Sequence, residues 1–455
     1  MIKKIKPLII LIFSILLILL AIDNYGIWTD ETYTLNLIKN SIFEIPLIEK
    51  QLDGTTFYMM LLRIFVSACN LTNPKEAVVV ARIFAIIPIV LLFIIGDYKI
   101  SKLYSEKHGL LFIIAIFVSN IIQYSIEIRA YSWTILFVTL AYIYFLAINK
   151  ENSSKNWKMF VFCSSAAFWF HKISVFPLAF LYIYLFIKSI KEKKLKHFFK
   201  YMIITIVACS PWVLWAFYMN RHALNEVYIS GAILPIFSYS KITESIVFPF
   251  STGNLYLSLL YILFTGLFVI YYIYLNHKKL NYFLIYGLFV LPLTVVSLML
   301  FAHITNHDYY PKYMVSSIGI LFTSLSIMIE DSKYSKQLCC ILLVFNIYTY
   351  YNCFISEQKS KVGFKELEIY MNNNIKDETL IFSFDYGKYI LDYYQFDGLK
   401  DNILIWDSNF IEEKNSLYFI QTYKLDEYFE GKKIEIIKEF NISNDLFSLC
   451  KLNVQ

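Results

Sequence analysis

"PLIILIFSILLILLAIDNYGIWTDETYTL" (residues 7–35) joins an uncharged apolar run to an acidic pair, and the class of the molecule turns on it. Residues 7–22 approach the roughly 20 apolar residues that a membrane-crossing helix needs. Lys3, Lys4 and Lys6 precede the run as they would in a secretory leader. No small-residue cleavage site follows, so the run reads as a retained first span. Beyond it stand Trp28, Thr29, Asp30 and Glu31. Adjacent carboxylates repel one another and are costly near lipid, so this pair needs a compensating partner or a task.

Composition extends the membrane reading to the whole chain. Of 455 residues, 58% are hydrophobic, 18% aromatic and only 17% charged, far from the balance of a soluble globular protein. Eleven candidate spans follow, at about 7–22, 77–96, 109–122, 131–148, 158–170, 173–188, 201–218, 254–275, 282–301, 313–329 and 337–355. With the N-terminus inside, the inner connections "YKISKLYSEKH", "NKENSSKNWK", "KSIKEKKLKHFFK", "NHKKLN" and "EDSKYSK" are all rich in Lys, as the positive-inside rule asks. The expected fold class is therefore an α-helical polytopic membrane protein of a cell (inner or plasma) membrane, with a cytoplasmic N-terminus.

The composition changes near residue 356. From Glu357 onward there are 12 Lys, no Arg and 18 acidic residues, against 29 basic and 17 acidic residues before it. A helix is expected around 363–375, then β-like runs "TLIFSF", "NILIWD", "SLYFIQT" and "KIEIIKEF", with a helix at "DYGKYILDYYQF" between the first two. The division expected is a transmembrane domain over 1–355, with a long first outer loop at 23–75, and a small extracytoplasmic α/β domain over 356–455. No repeat or nucleic-acid motif is present, and the positive balance is a topology signal. Seven scattered cysteines, without a CxxC, form neither a disulfide framework nor a zinc pattern.

Charges at the outer membrane edge mark where chemistry can sit. Within the first outer loop, "ETYTLNLIKN" and "TTFYMMLLRIFVSA" have the mixed character of interfacial helices. Asp30 and Glu31 would open the first of these, where the helix dipole favours acids by about 0.3–1 kcal/mol. The functional alternative makes Asp30 a base that takes a proton from an attacking hydroxyl or amine. In "YSIEIRAYSW" (124–133), Arg129 lies at an outer edge between Glu127 and Tyr131. It is either half of a local ion pair or a fork for a phosphate. Asp53, Arg82, His171 and Lys312 fall on the same side, Arg82 as a residue that snorkels or a substrate contact. His303, His307 and Asp308 lie close in sequence but lack the spacing of a metal motif.

Taken together, the acidic pair after the first span, the Arg early in the second and "YSIEIRAYS" resemble the membrane glycosyltransferases of the GT-C class. Within it they are most similar to the family 39 and aminoarabinose-transferase-like branch, relatives of the protein O-mannosyltransferases. Members typically carry Tyr-Ser-x-Glu-x-Arg-x-Tyr, and Tyr124, Ser125, Glu127, Arg129 and Tyr131 fill those positions. His171 in an outer turn and the Pro211–Trp212 pair also fit, and the likeness covers roughly residues 1–330. There are two departures. Where members often carry His-Pro-Pro-Leu-Tyr, this chain has Gly54, Thr55, Thr56, Phe57 and Tyr58, with Asp53 an offset substitute. Where they have Arg-Tyr near the tenth span, this chain has Lys312–Tyr313.

The resemblance implies transfer of a hexosyl or pentosyl unit from a polyprenyl-phosphate donor to a lipid, glycan or protein acceptor on the outer face. In that scheme Asp30 is the base or acceptor-orienting carboxylate and Glu31 supports it, either directly or through a divalent metal. Arg82, Arg129 or Lys312 stabilises the departing phosphate, with Glu127, Tyr131, His171 and Asp53 around the substrate. A transporter or flippase for a lipid-linked or anionic substrate would use the same charges as a pathway. That class, however, favours inverted repeats and broken midplane helices, which this sequence does not show. An inactive assembly scaffold would tolerate loss of Asp30.

Overall fold

The computed structural model describes residues 2–22, 27, 29–48, 55–69, 74–223, 238–251, 254–277, 281–305, 309–349, 363–374, 379–382, 403–405, 416–421, 433–442 and 445–452. It is a helical polytopic protein carrying a small C-terminal sheet. Among the described residues, eight helical stretches are long and apolar enough to cross a membrane: Ile2–Ala21, Glu76–Leu103, Tyr131–Lys150, Lys172–Lys191, Leu195–Trp215, Leu255–Asn276, Tyr282–Thr305 and Pro311–Glu330. The other three expected spans fall on shorter helices, Glu106–Phe117, Ser154–Phe170 and Ser335–Thr349. At about 1.5 Å per residue, the 12 residues of Glu106–Phe117 cover well under the roughly 30 Å of a hydrocarbon core. The chain turns at Val118–Asn120 and resumes as a short helix, Ile121–Ser125.

In chain order, α1 is Ile2–Ile22, α2 Thr29–Leu37, α3 Ile45–Ile48 and α4 Thr56–Ala68. Next come α5 (Pro74–Leu91), α6 (Asp97–Leu103), α7 (Glu106–Phe117), α8 (Ile121–Ser125), α9 (Tyr131–Lys150) and α10 (Ser154–Phe170). They are followed by α11 (Val175–Lys191), α12 (Leu195–Ala223), α13 (Tyr239–Val247), α14 (Leu255–Asn276), α15 (Tyr282–Thr305), α16 (Val315–Glu330), α17 (Ser335–Thr349) and α18 (Gly363–Asn374).

Helices α9 and α16 form the centre, with 89% of each span buried, whereas α12 has 11% buried and faces outward. Small residues let α16 come close to its neighbours: Ser316, Ser317, Gly319, Thr323, Ser324 and Ser326 are all buried along it. A Cβ at Gly319 would overlap Thr139 of α9. Several of these hydroxyls bond back to their own helix, as Thr323 does to the Gly319 carbonyl at 2.6 Å and Ser326 to Thr323 at 2.8 Å. No polar group is thereby handed to lipid.

Helix α1 is fixed near both ends by cations. Lys6, 4% exposed, meets Asp97 at 2.6 Å and Glu106 at 2.5 Å. A π-helical turn, Leu92–Gly96, precedes Asp97 and joins α5 to α6. At the other end, Arg82 of α5 donates to the Ala21 carbonyl at 3.1 Å.

The C-terminal strands are β1 (Thr379–Phe382), β2 (Ile403–Ile405), β3 (Ser416–Gln421), β4 (Ile434–Ile442) and β5 (Asp445–Leu452). They order as β2-β1-β3-β5-β4, parallel on the β1 side and antiparallel among β3, β5 and β4. Four of these were expected, and β5 is an addition. The helix expected at 363–375 is α18, while the one expected at "DYGKYILDYYQF" lies outside the described residues. Leu417, Tyr418, Phe419 and Ile420 of the central β3 are buried on both faces, which hides their period-2 signal. Leu417, Phe419, Phe440, Phe447 and Leu449 form one buried apolar cluster with Leu367 and Met371 of α18 and with Leu35, Tyr58, Met59 and Leu62 of α2 and α4. The sheet therefore shares a core with the helices that carry the acidic pair.

Candidate active site

Successive residues of an α-helix point about 100° apart, so two adjacent carboxylates at a helix start meet different surroundings. That is the arrangement at α2, whose first turn contains Asp30 and Glu31. Glu31 turns inward and is 1% exposed. Its Oε1 accepts a hydrogen bond from the Ile128 amide at 3.0 Å, and its Oε2 lies 3.6 Å from Arg82 Nη2. Arg82, itself 6% exposed, thus bridges the end of α1 and the start of α2. Arg82 is an interior tie, and the snorkelling alternative is set aside by its burial.

Asp30 turns outward, with 31% of its side chain exposed. Its Oδ2 accepts a hydrogen bond from Lys312 Nζ at 3.1 Å and lies 3.9 Å from Arg129 Nη2. Lys312 comes from the 3-10 turn Pro311–Met314 that leads into α16, and Pro311 presets its first dihedral. Arg129, with 9% of its side chain exposed, comes from the turn between α8 and α9, where its amide donates to the Glu127 carbonyl at 2.7 Å. Its Nη1 reaches Thr34 Oγ1 at 3.4 Å, and that hydroxyl donates to the Asp30 carbonyl at 2.9 Å. The guanidinium thus bridges two residues one turn apart on α2.

Asp30, Glu31, Arg82, Arg129 and Lys312 therefore make one network drawn from α2, α5, the 126–130 turn and the 311–314 turn. Glu127 is buried in the same 126–130 turn. Tyr131 and His171 form an adjoining ring pair, stacked with centroids 5.9 Å apart, and Tyr124 meets Tyr131 edge-on at 5.7 Å. His171 Nδ1 accepts from the Ile173 amide at 3.3 Å, closing the turn between α10 and α11 and leaving the proton of the neutral ring on Nε2. Asp53 lies outside the described residues.

Two participants, the Ile128 amide and Thr34, had not been singled out in the sequence, and a third, Tyr58, had been named only within the 54–58 stretch. Thr34 stands four residues after Asp30, a spacing that puts both on one helix face once α2 is recognised. Tyr58 is fully buried, its ring 5.7 Å from that of Phe84. Burial raises its phenol above the usual range, and the charges of Arg129 and Glu31 both act on it. Among the described residues, no three His, Cys, Asp or Glu side chains converge on a metal position. Asp30 and Glu31 each face a cation.

No family model matches the chain, and no curated protein matches it by sequence. Solved structures do. ArnT from Cupriavidus metallidurans in its apo state superimposes with a TM-score of 0.62 at 8% identity, covering 97% of each chain. The same protein bound to undecaprenyl phosphate gives 0.61, again at 8% identity and 97% of each chain. The fold is therefore one that this chain shares with ArnT. At this identity the likeness is one of architecture, and it covers nearly the whole length of both chains.

Proposed function

We propose that this chain transfers a sugar from a polyprenyl-phosphate donor to an acceptor on the outer face of the membrane. The observation that carries this reading is the setting of Asp30. One partly open carboxylate is held between an ammonium and a guanidinium at a membrane edge, on a fold shared with an undecaprenyl-phosphate-binding protein.

The chemistry divides among these groups. An acceptor hydroxyl or amine attacks the anomeric carbon while the bond from that carbon to the phosphate oxygen breaks. The acceptor's proton passes to Asp30, and the bonding electrons leave with the phosphate, which gains a negative charge. Arg129 and Lys312 face that charge, and their attraction to it grows as the bond breaks, which is what lowers a barrier. Glu31 and Arg82 touch neither reactant and fix the start of α2 from behind. No step requires a metal.

The alternation of Lys-rich connections supports an outer location. Described residues of α18 and the sheet share a core with α2, α3 and α4, which supports reading 356–455 as an extracytoplasmic unit on the side of Asp30. The test is incubation of purified protein with a panel of polyprenyl-phosphate hexoses and pentoses and with lipid, glycan and peptide acceptors. Release of free polyprenyl phosphate with one pair is expected. Movement of intact donor across a vesicle bilayer without any release would replace this reading with a flippase.

A further inference from the structure

We propose that Lys241 of α13 is a second cation for the phosphoryl group of the lipid carrier, acting beside Lys312; this rests on the polyprenyl-phosphate reading above. Lys312 Nζ lies 5.4 Å from the centre of the Tyr310 ring, and Lys241 Nζ lies 5.6 Å from the same centre. One aromatic ring thus gathers two ammonium groups, one of which also holds Asp30 at 3.1 Å. The ring's π-electrons compensate each ammonium only in part. Glu244 lies 3.8 Å from Lys241, but 53% of its side chain is exposed, so it is a weak counter-charge. An arriving phosphoryl anion would complete the compensation of both cations.

The placement of α13 supplies a second, independent reason. Tyr239, Ile242 and Ile246 are 86%, 38% and 55% exposed and share one face, the pattern of a helix lying in the membrane interface. Lys241 and Ser245 occupy the other face. Ser245 Oγ meets the Tyr309 hydroxyl at 2.9 Å with both residues buried, and it donates to the Lys241 carbonyl at 2.7 Å. The helix is thereby docked on the 309–314 segment that presents Lys312. Its apolar face in lipid sets Lys241 at headgroup depth, where a carrier phosphate lies.

A consequence separates Lys241 from a general surface charge. The loaded donor is a phosphodiester with one negative charge, whereas the spent carrier is a monoester that can hold a second. A second lysine at the phosphoryl group therefore favours the spent carrier more than the donor.

The experiment measures equilibrium binding of undecaprenyl phosphate, undecaprenol and inorganic phosphate to the full chain in nanodiscs. Wild type is expected to bind undecaprenyl phosphate well above undecaprenol. Lys241→Gln should lower undecaprenyl phosphate affinity about tenfold, the scale of one charged hydrogen bond. It should leave undecaprenol binding unchanged, and Lys241→Arg should retain most of the affinity. Equal undecaprenyl phosphate binding by wild type and Lys241→Gln would overturn the assignment, as would parallel loss of both lipids. Displacement of the lipid by an equal concentration of inorganic phosphate would reassign the site to free phosphate. A wild type that does not distinguish undecaprenyl phosphate from undecaprenol would instead bring down the underlying functional reading.

Discussion

Asp30 and Glu31 are neighbours in sequence and opposites in setting. Glu31 is sealed between the Ile128 amide and Arg82. Asp30 is partly open and shares its oxygen between Lys312 and Arg129. A buried ion pair is expensive to create and more expensive to break, so the inner pair serves geometry. In the proposed function, the outer cluster exchanges partners with an arriving anion. On the proposed reading, adjacent positions in one helix turn hold a structural carboxylate and a reactive one, and residue type alone does not tell them apart.

The contrast can be broken first from the inner side. Arg82→Ala leaves Glu31 buried without its cation and should cost about 3–5 kcal/mol of stability, seen as a large fall in thermal midpoint. Arg82→Met combined with Glu31→Gln should recover much of that loss. A lone Arg82→Ala as stable as wild type would show that the pair is not a brace.

On the outer side the expected effects are on donor use. Arg129→Ala should weaken donor use by roughly 10–100-fold, about 1.5–3 kcal/mol for a charge-assisted contact, with less effect on the yield of folded protein. Arg129→Lys should recover only part, since it restores charge without the fork. Steady-state kinetics on folded protein decide this, and unchanged donor kinetics would confine Arg129 to a structural role.

A smaller change is expected at Lys312. Lys312→Ala should reduce donor use several-fold, roughly 1 kcal/mol for a partly exposed pair, and Lys312→Arg should equal or exceed wild type because the fork matches phosphate. A Lys312→Arg variant as weak as Lys312→Ala in the same assay would indicate that position 312 demands a point charge. The smallest expected effect is none: chelators should leave turnover unchanged, because both carboxylates already face cations. A chelator-sensitive wild type, rescued by added divalent ion, would reverse that assignment.

Much of the architecture was legible because lipid imposes simple rules. Eight of the expected spans fall on helices long and apolar enough to cross a membrane, since an apolar run between Lys-rich turns has few alternatives, while the run at 109–122 is broken by the turn at 118–120. The acidic pair, Arg82, Arg129 and Lys312 were visible as charges at one edge. Their pairing was not, because Glu31 finds the Ile128 amide and Arg82 through the fold and not through spacing. Strand β5, "DLFSLCKL", was passed over because it mixes polar and apolar residues without clean alternation. The Lys241 contact escaped notice for a similar reason, as a single lysine in a short amphipathic stretch.

The most direct test of the division between the two carboxylates is sugar transfer by Asp30→Asn and Glu31→Gln, each with the natural donor and acceptor and normalised to folded protein. Asn keeps the size of Asp30 and loses the base, so Asp30→Asn should fall by about 10²–10⁴ while still inserting and binding donor. Glu31→Gln should keep most of its turnover per folded molecule and lose stability instead. Near-wild-type transfer by Asp30→Asn would contradict the assignment of Asp30 as the base.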